Sequence, residues 1–141
     1  MTLHVVHLIY KLDIGGLERF MVDMINRFQA PNYQHTGICL TCATDFAQEL
    51  RSEVKVITLN KAPGKDLGLH IRLYQTLKQL RPDVFQTYNL AALEYYPIAF
   101  FAGAKKRLHA EHGRDSSDPE GKNWKHRLLR KLINPLSLIH L

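Results

Sequence analysis

Apolar positions along the chain change period several times, and each change marks an element. His4-Val5-Val6-His7-Leu8-Ile9 is a mostly apolar run of strand length, and Asp13-Ile14-Gly15-Gly16 supplies turn residues after it. Leu17, Phe20, Met21, Met24, Ile25 and Phe28 then recur on one helical face, until Asn26-Arg27 and Pro31-Asn32 stop the helix. A β-branched run predicts a second strand over about 35–42, followed by a short helix over about 46–51 and a third strand over 54–58. Lys61-Ala62-Pro63-Gly64-Lys65 is a loop by its Pro and Gly. Asp66 is placed to cap a helix carrying Leu67, Ile71, Tyr74, Leu77 and Leu80 inward. Arg81-Pro82-Asp83 ends that helix, and Val84-Phe85-Gln86-Thr87-Tyr88 is a fourth strand. Asn89 is expected to cap a helix from Leu90 to about Phe101, apolar over most of its surface and therefore buried, with Gly103 closing it. A fifth strand over 106–110 and a helix over about 123–133 complete the pattern.

Strands alternating with helices imply crossovers of one hand and a parallel sheet with helices on both faces. The predicted class is a Rossmann-like α/β domain, a three-layer parallel sheet spanning residues 1–141 as a single unit. At this length folding can bury roughly 70% of the extended chain's surface, enough for one sheet with its helices. The sequence shows no internal repeat or interdomain linker, and the polar stretch from Asp115 to Gly121 reads as a loop.

Composition narrows the class without choosing a function. A hydrophobic fraction of 45% and a charged fraction of 23% are those of an ordinary globular protein. The longest apolar run, Tyr95 to Ala104, is short for a bilayer span and is broken by Pro97. Met1-Thr2-Leu3-His4 lacks a basic leader region, so a cytoplasmic protein is expected. The two cysteines, Cys39 and Cys42, have a redox spacing but lie in the strand-like run, where positions three apart diverge; buried structural thiols are expected.

The net charge of +6 is concentrated late, in Lys105, Lys106, Arg107, Arg114, Lys122, Lys125, Arg127, Arg130 and Lys131. Such a flank favours an anionic partner: phosphorylated sugar, nucleic acid or lipid headgroups. No aromatic residues interleave the basic ones as a stacking platform would require, so a nucleic-acid role is not expected. In the last helix Trp124, Leu128, Leu132, Ile133 and Leu136 fall near one stripe and the cations mostly off it. That pattern suits either an anionic membrane surface or a helix packing its apolar side on the sheet.

The densest chemistry is Glu111-His112-Gly113-Arg114-Asp115, directly after the fifth strand. Residues at the carboxyl ends of strands face the crevice where open α/β sheets bind ligands. His112 there could accept a proton, donate one or hold a sugar hydroxyl, or be a structural histidine satisfied by backbone. Gly15-Gly16 opens a helix after the first strand, where amides and the macrodipole could hold a phosphate, or where the pair makes only a tight turn. The spacing is neither the dinucleotide fingerprint nor a P-loop, and no metal-ligand pattern is present, so no metal is expected.

Taken in order, these motifs resemble the N-terminal half of a bacterial family 4 glycosyltransferase of the GT-B fold. The resemblance rests on Leu12-Asp13-Ile14-Gly15-Gly16-Leu17-Glu18-Arg19, Lys61 to Asp66, Arg81-Pro82-Asp83-Val84, Asn89 to Glu94, Glu111 to Asp115, and Gly121 to Lys125. The later motifs are similar to those of sugar transferases encoded in exopolysaccharide clusters associated with PEP-CTERM protein sorting. The resemblance implies retaining transfer of a sugar from a nucleotide-sugar, with no separate cofactor, to a glycan or lipid-linked acceptor. It places Gly15 and Gly16 near the donor diphosphate, His112 at the donor sugar as the catalytic candidate, and Asn89, Glu111 and Arg114 on the acceptor side. A last helix resting on an anionic membrane would place the protein peripherally at the inner membrane. Where the family usually has His-Thr-Arg, this chain has Gln86-Thr87-Tyr88, which removes two cationic or titratable groups from the acceptor side. By the same comparison residues 1–141 hold the acceptor-side domain and lack the nucleotide-sugar domain, so this stretch alone is expected to be inactive. Apolar surface left uncovered by that half would favour self-association.

Overall fold

The computed structural model describes residues 1–111, 122–133 and 139–140. The strands are β1 (Leu3–Ile9), β2 (Tyr33–Cys39), β3 (Lys55–Thr58), β4 (Val84–Tyr88), β5 (Lys106–Ala110) and β6 (Ile139–His140). The helices are α1 (Gly16–Arg27), α2 (Leu67–Leu80), α3 (Asn89–Leu93), α4 (Tyr96–Phe101) and α5 (Trp124–Ile133), with a 3-10 turn at Asp45–Glu49. The strands form one parallel sheet in the order β3-β2-β1-β4-β5-β6. The order reverses between β1 and β4, the position at which such sheets open a crevice above their carboxyl ends.

Parallel sheets bury both faces, so their central strands are nearly continuous runs of buried residues. Val5 to Ile9 of β1 are all buried. Alternate side chains divide the core in two. Val6, Leu8, Ile38, Leu40 and Phe85 meet Leu69, Leu73 and Leu77 of α2 and Ala99 of α4. On the other face Ile9, Cys39, Tyr88 and Ala110 meet Met21, Val22 and Ile25 of α1, with Phe46 and Leu50 from the 3-10 turn. Each fully buried Leu or Ile contributes about 1.5–3 kcal/mol by leaving water.

Asp66 caps α2 as expected. It accepts from Leu69 N at 3.0 Å and from Ala62 N at 3.0 Å, and pairs with Arg72 at 2.8 Å. The Ala62 amide first, and Arg72 after it, hold the Asp66 carboxyl down to about 2. At the opposite end of the sheet Asp83 accepts from the His4 amide at 3.0 Å and from Lys105 at 2.7 Å, tying the amino ends of β1 and β5 to β4.

Four expectations need correction. The inward face of α2 is Leu69, Leu73 and Leu77, whereas Leu67, Ile71 and Tyr74 are exposed. The single helix expected from Leu90 to Phe101 is two, because Pro97 falls in the first turn of α4 and ends the α3 path before it. Asn89 does not hold the N-cap position, which is Tyr88's: it is the first residue of α3, in the left-handed conformation at φ 56. Of the two free thiols only Cys39 is buried; β2 ends there, and Cys42 is exposed beyond it. Burial pushes the Cys39 thiol up to about 12, far from the reactive range. The predicted loop over 115–121 lies outside the described residues.

Candidate functional site

The loop after β1 and the start of α3 after β4 flank the point where strand order reverses. The first is held by a polar brace. Leu12 is buried and bonds through its backbone to Cys42 and Thr44. The Asp13 carboxylate accepts from Ile14 N at 2.9 Å and from the Thr44 hydroxyl at 3.1 Å, and Lys11 approaches it at 2.6 Å. Lys11 first, then the Ile14 amide, keep Asp13 below the usual carboxylate range. By sequence Asp13 is a turn residue; its partner Thr44 is 31 positions away, and only the fold brings them together.

Gly15 is the N-cap of α1, extended at φ −170, and provides no side-chain cap for the first amides of the helix. A Cβ at Gly15 would overlap the Glu18 carboxylate, which folds back over this residue. Glu18 therefore sits where the helix dipole favours negative charge, and an incoming anion would have to displace it. Gly16 differs: it is exposed, and no atom lies within 4 Å of where its Cβ would be. Among the described residues nothing packs into that space, so a ligand can approach the backbone there.

The end of β4 turns inward. Gln86, Thr87 and Tyr88 are all buried, so Gln86 and Tyr88, which stand where the resemblance leads one to expect His and Arg, do not present their side chains to solvent. Thr87 Oγ1 lies 2.8 Å from His109 Nδ1. Tyr88 joins a histidine chain in which every proton has a direction. His35 donates from Nε2 to the carbonyl of Phe28, the C-cap of α1. Its Nδ1 must then accept, and His7 Nε2 donates to it at 2.9 Å. His7 Nδ1 in turn accepts from the Tyr88 hydroxyl at 2.9 Å. Burial, with the charges of His35 and His4 adding to it, pushes His7 down to about 3; burial also lowers His35 and raises Tyr88. Both histidines are thus neutral at pH 7, as the bonding requires. This network has no sequence signal beyond a histidine inside an apolar strand.

Of the residues singled out from sequence, Gly15, Gly16, Asn89 and Glu111 are placed at strand ends. Gly15 and Gly16 follow β1, half-buried Asn89 follows β4, and half-buried Glu111 follows β5. His112 and Arg114 lie outside the described residues. In α5 the expected inward stripe is not buried where it is described: Trp124 is 66% exposed and Leu128 is exposed too. Leu136 of that stripe lies outside the described residues. No helix among the described residues is long and apolar enough to cross a membrane.

Comparison with solved structures finds Anabaena Alr3699/HepE, crystallised in complex with UDP and glucose, at a TM-score of 0.68 and 20% identity. The match covers 98% of this chain and 37% of that one, so the chain spans little more than a third of that protein's length. At this identity the likeness carries the fold, which is Rossmann-like and matches one GT-B half. A search of curated proteins gives no match. The sequence profile described as Glycosyltransferase Family 4 matches residues 14–140, from the braced loop after β1 to the second residue of β6. A match over nearly the whole chain is decisive: the chain belongs to glycosyltransferase family 4.

Proposed function

We propose that these residues form the acceptor-side domain of a retaining glycosyltransferase, which moves a sugar from a nucleotide-sugar to a glycan or lipid-linked acceptor. The observation that carries the reading is the open amino end of α1 at Gly16, beside the reversal of strand order, within a family 4 match. When the sugar–phosphate bond breaks, negative charge grows on the departing diphosphate, and unpaired amides at a helix start are fixed donors for it. Such donors need no reorganisation, and Gly16 lets a phosphate come close to them. Glu18 would swing away as the diphosphate arrives. His112 would contact the donor sugar, and Asn89, Glu111 and Arg114 would line the acceptor side. The UDP and glucose bound to the HepE protein support a nucleotide-sugar donor.

A donor-side half is required by this reading, so the 141 residues alone should give no turnover of nucleotide-sugar. In an assembly that includes a donor-side half, His112→Ala should lower kcat by about a hundredfold or more. Near wild-type turnover of that variant would remove His112 from the chemical step. Transfer by the 141 residues alone at roughly 1 per second or faster would overturn the need for a second half.

A second reading has one observation in its favour. The exposed Trp124 and Leu128 of α5, accompanied by exposed Lys125, Arg127 and Lys131, would suit a non-catalytic module that rests on an anionic surface through α5. Replacing Trp124 and Leu128 with Ser would abolish vesicle binding if this reading holds.

A further inference from the structure

On α2 and α4, apolar side chains remain outside the cover of the sheet. Ile71 is 61% exposed and Phe101 72%, and Tyr74 is exposed as well. With His70 and Ile98 they line an open groove of about 230 Å³ between the two helices. Both helices run from the carboxyl end of the sheet to its amino end, so the groove has two distinct mouths. At the first stands Glu94, exposed at the C-cap of α3. The Tyr95 hydroxyl donates to its carboxylate, and the Tyr95 ring lies 5.3 Å from that of His70. At the other mouth, about one helical turn beyond Tyr74, Lys78, Arg81 and Lys105 border a cavity of about 450 Å³.

Most charges around the two mouths are already matched. Asp66 pairs with Arg72, Asp83 with Lys105, and Lys61 donates to the carbonyls of Ala62 and Gly64. Lys65 stands in the loop before α2, outside the groove lining. Glu94 at one mouth, and Lys78 and Arg81 at the other, form no ion pair among the described residues. The groove is thus apolar in the middle, negative at one end and positive at the other. A partner of a single sign is repelled at one of those ends, and an anionic surface meets Glu94 unfavourably. A second copy turned by half a rotation presents the opposite sign at both ends and an apolar strip between them. That is the self-complementarity an isologous contact needs. Tyr74 lies midway between His70 and Lys78, about one helical turn from each, which places the axis. We propose that the α2–α4 face joins two copies of this chain about a two-fold axis near Tyr74. Ile71, Tyr74 and Phe101 of each copy cover those of the other, and Glu94 of each lies opposite Lys78 and Arg81 of its mate. The face is two helices wide and about 20 Å long, at the low end of area for specific association, so a Kd in roughly the micromolar range is expected. α1 and its glycine loop pack on the opposite face of the sheet, and the inference does not depend on the proposed transferase role.

The test is sedimentation equilibrium of the 141-residue chain up to about 200 μM, where a dimer of that affinity is well populated. Ile71→Ser with Phe101→Ser should leave a monomer. Glu94→Lys, or Lys78→Glu with Arg81→Glu, should raise the dimer Kd by roughly tenfold or more, since each change acts twice in a two-fold contact. All these side chains are exposed, so circular dichroism should not change. An equimolar mixture of the two charge variants should recover near wild-type affinity, because one then carries cations at both mouths and the other acids. A folding defect could not give that rescue. The proposal falls if the chain is a monomer at this concentration, if Ile71→Ser/Phe101→Ser dimerises like wild type, or if the mixture associates no better than its separate components. It falls equally if Trp124→Ser/Leu128→Ser alone abolishes the dimer, which would assign the contact to α5. A monomer that floats with phosphatidylglycerol vesicles, and loses that binding in the Ile71→Ser/Phe101→Ser variant, would give the face to a bilayer instead.

Discussion

The carboxyl ends of β1 and β4 are neighbours at the same point of the sheet, yet they use polar residues in opposite ways. After β1 the polar groups stay at the surface: Asp13 braces the loop, and the first amides of α1 face outward past Gly16. At the end of β4 they go inside, where Tyr88 and Thr87 bond to histidines of the adjacent strands. One end is built to meet something from outside and the other to join strands together. Strand-end position thus identifies where a ligand can come, while side-chain direction decides which residues it can touch.

Removing His7 gives the largest effect on stability. His7→Ala leaves the Tyr88 hydroxyl and His35 Nδ1 buried without partners, at about 1–3 kcal/mol for each group. Urea denaturation should show a lower midpoint with an unchanged slope. An unaltered midpoint would mean that the inner end of β4 is held by packing alone.

Acid probes the same chain with a smaller effect. His7 stays neutral in the folded domain down to about 3, whereas in the unfolded chain it takes up a proton below its ordinary value of 6.5. The unfolded state therefore binds more protons as pH falls from 6.5 toward 3. The stabilisation is fully present above 6.5 and is lost through that window, at about 1.4 kcal/mol per pH unit once His7 is protonated in the unfolded chain. His35, also lowered, adds in the same direction. Melting temperatures measured from pH 7 down to pH 5 should fall, and His7→Ala should flatten the slope.

These predictions rest on contacts that the sequence showed unevenly. Alternation and turn residues were enough for β1, β4 and β5 and for the parallel class, because buried strands between helices leave a plain pattern. The face of α2 was not legible, since Leu67-Ile71-Tyr74 and Leu69-Leu73-Leu77 are both apolar stripes at helical spacing. Periodicity cannot say which stripe meets the sheet. Pro97 did signal a break in the helix after β4, but the apolar run around it outweighed that signal. The two-residue β6 had no pattern long enough to register. Turn chemistry put Gly15 and Gly16 between β1 and the following helix, which is where they lie. The histidine chain was invisible because His7 finds its partners 28 and 81 positions away.

The smallest effect on stability belongs to the outward end. Gly16→Ala puts a methyl group into open space at the start of a helix, so the melting temperature should hold or rise slightly. In an assembly with a donor-side half the same change should weaken nucleotide-sugar binding, measured by calorimetry. Equal affinity would show that the diphosphate does not approach this backbone, and the contrast between the two strand ends would lose its functional side.

The line of protons from Tyr88 through His7 and His35 to Phe28 also acts against misregister. It crosses β4, β1 and β2 and ends on the last turn of α1. If β1 slipped by one residue, His7 would point to the opposite face of the sheet and the line would be cut in two places. A central strand rich in interchangeable Val, Leu and Ile tells one alignment from the next through its two histidines: His4 bonds to Thr36 and the Leu80 carbonyl near its start, and His7 holds the line of protons in its middle.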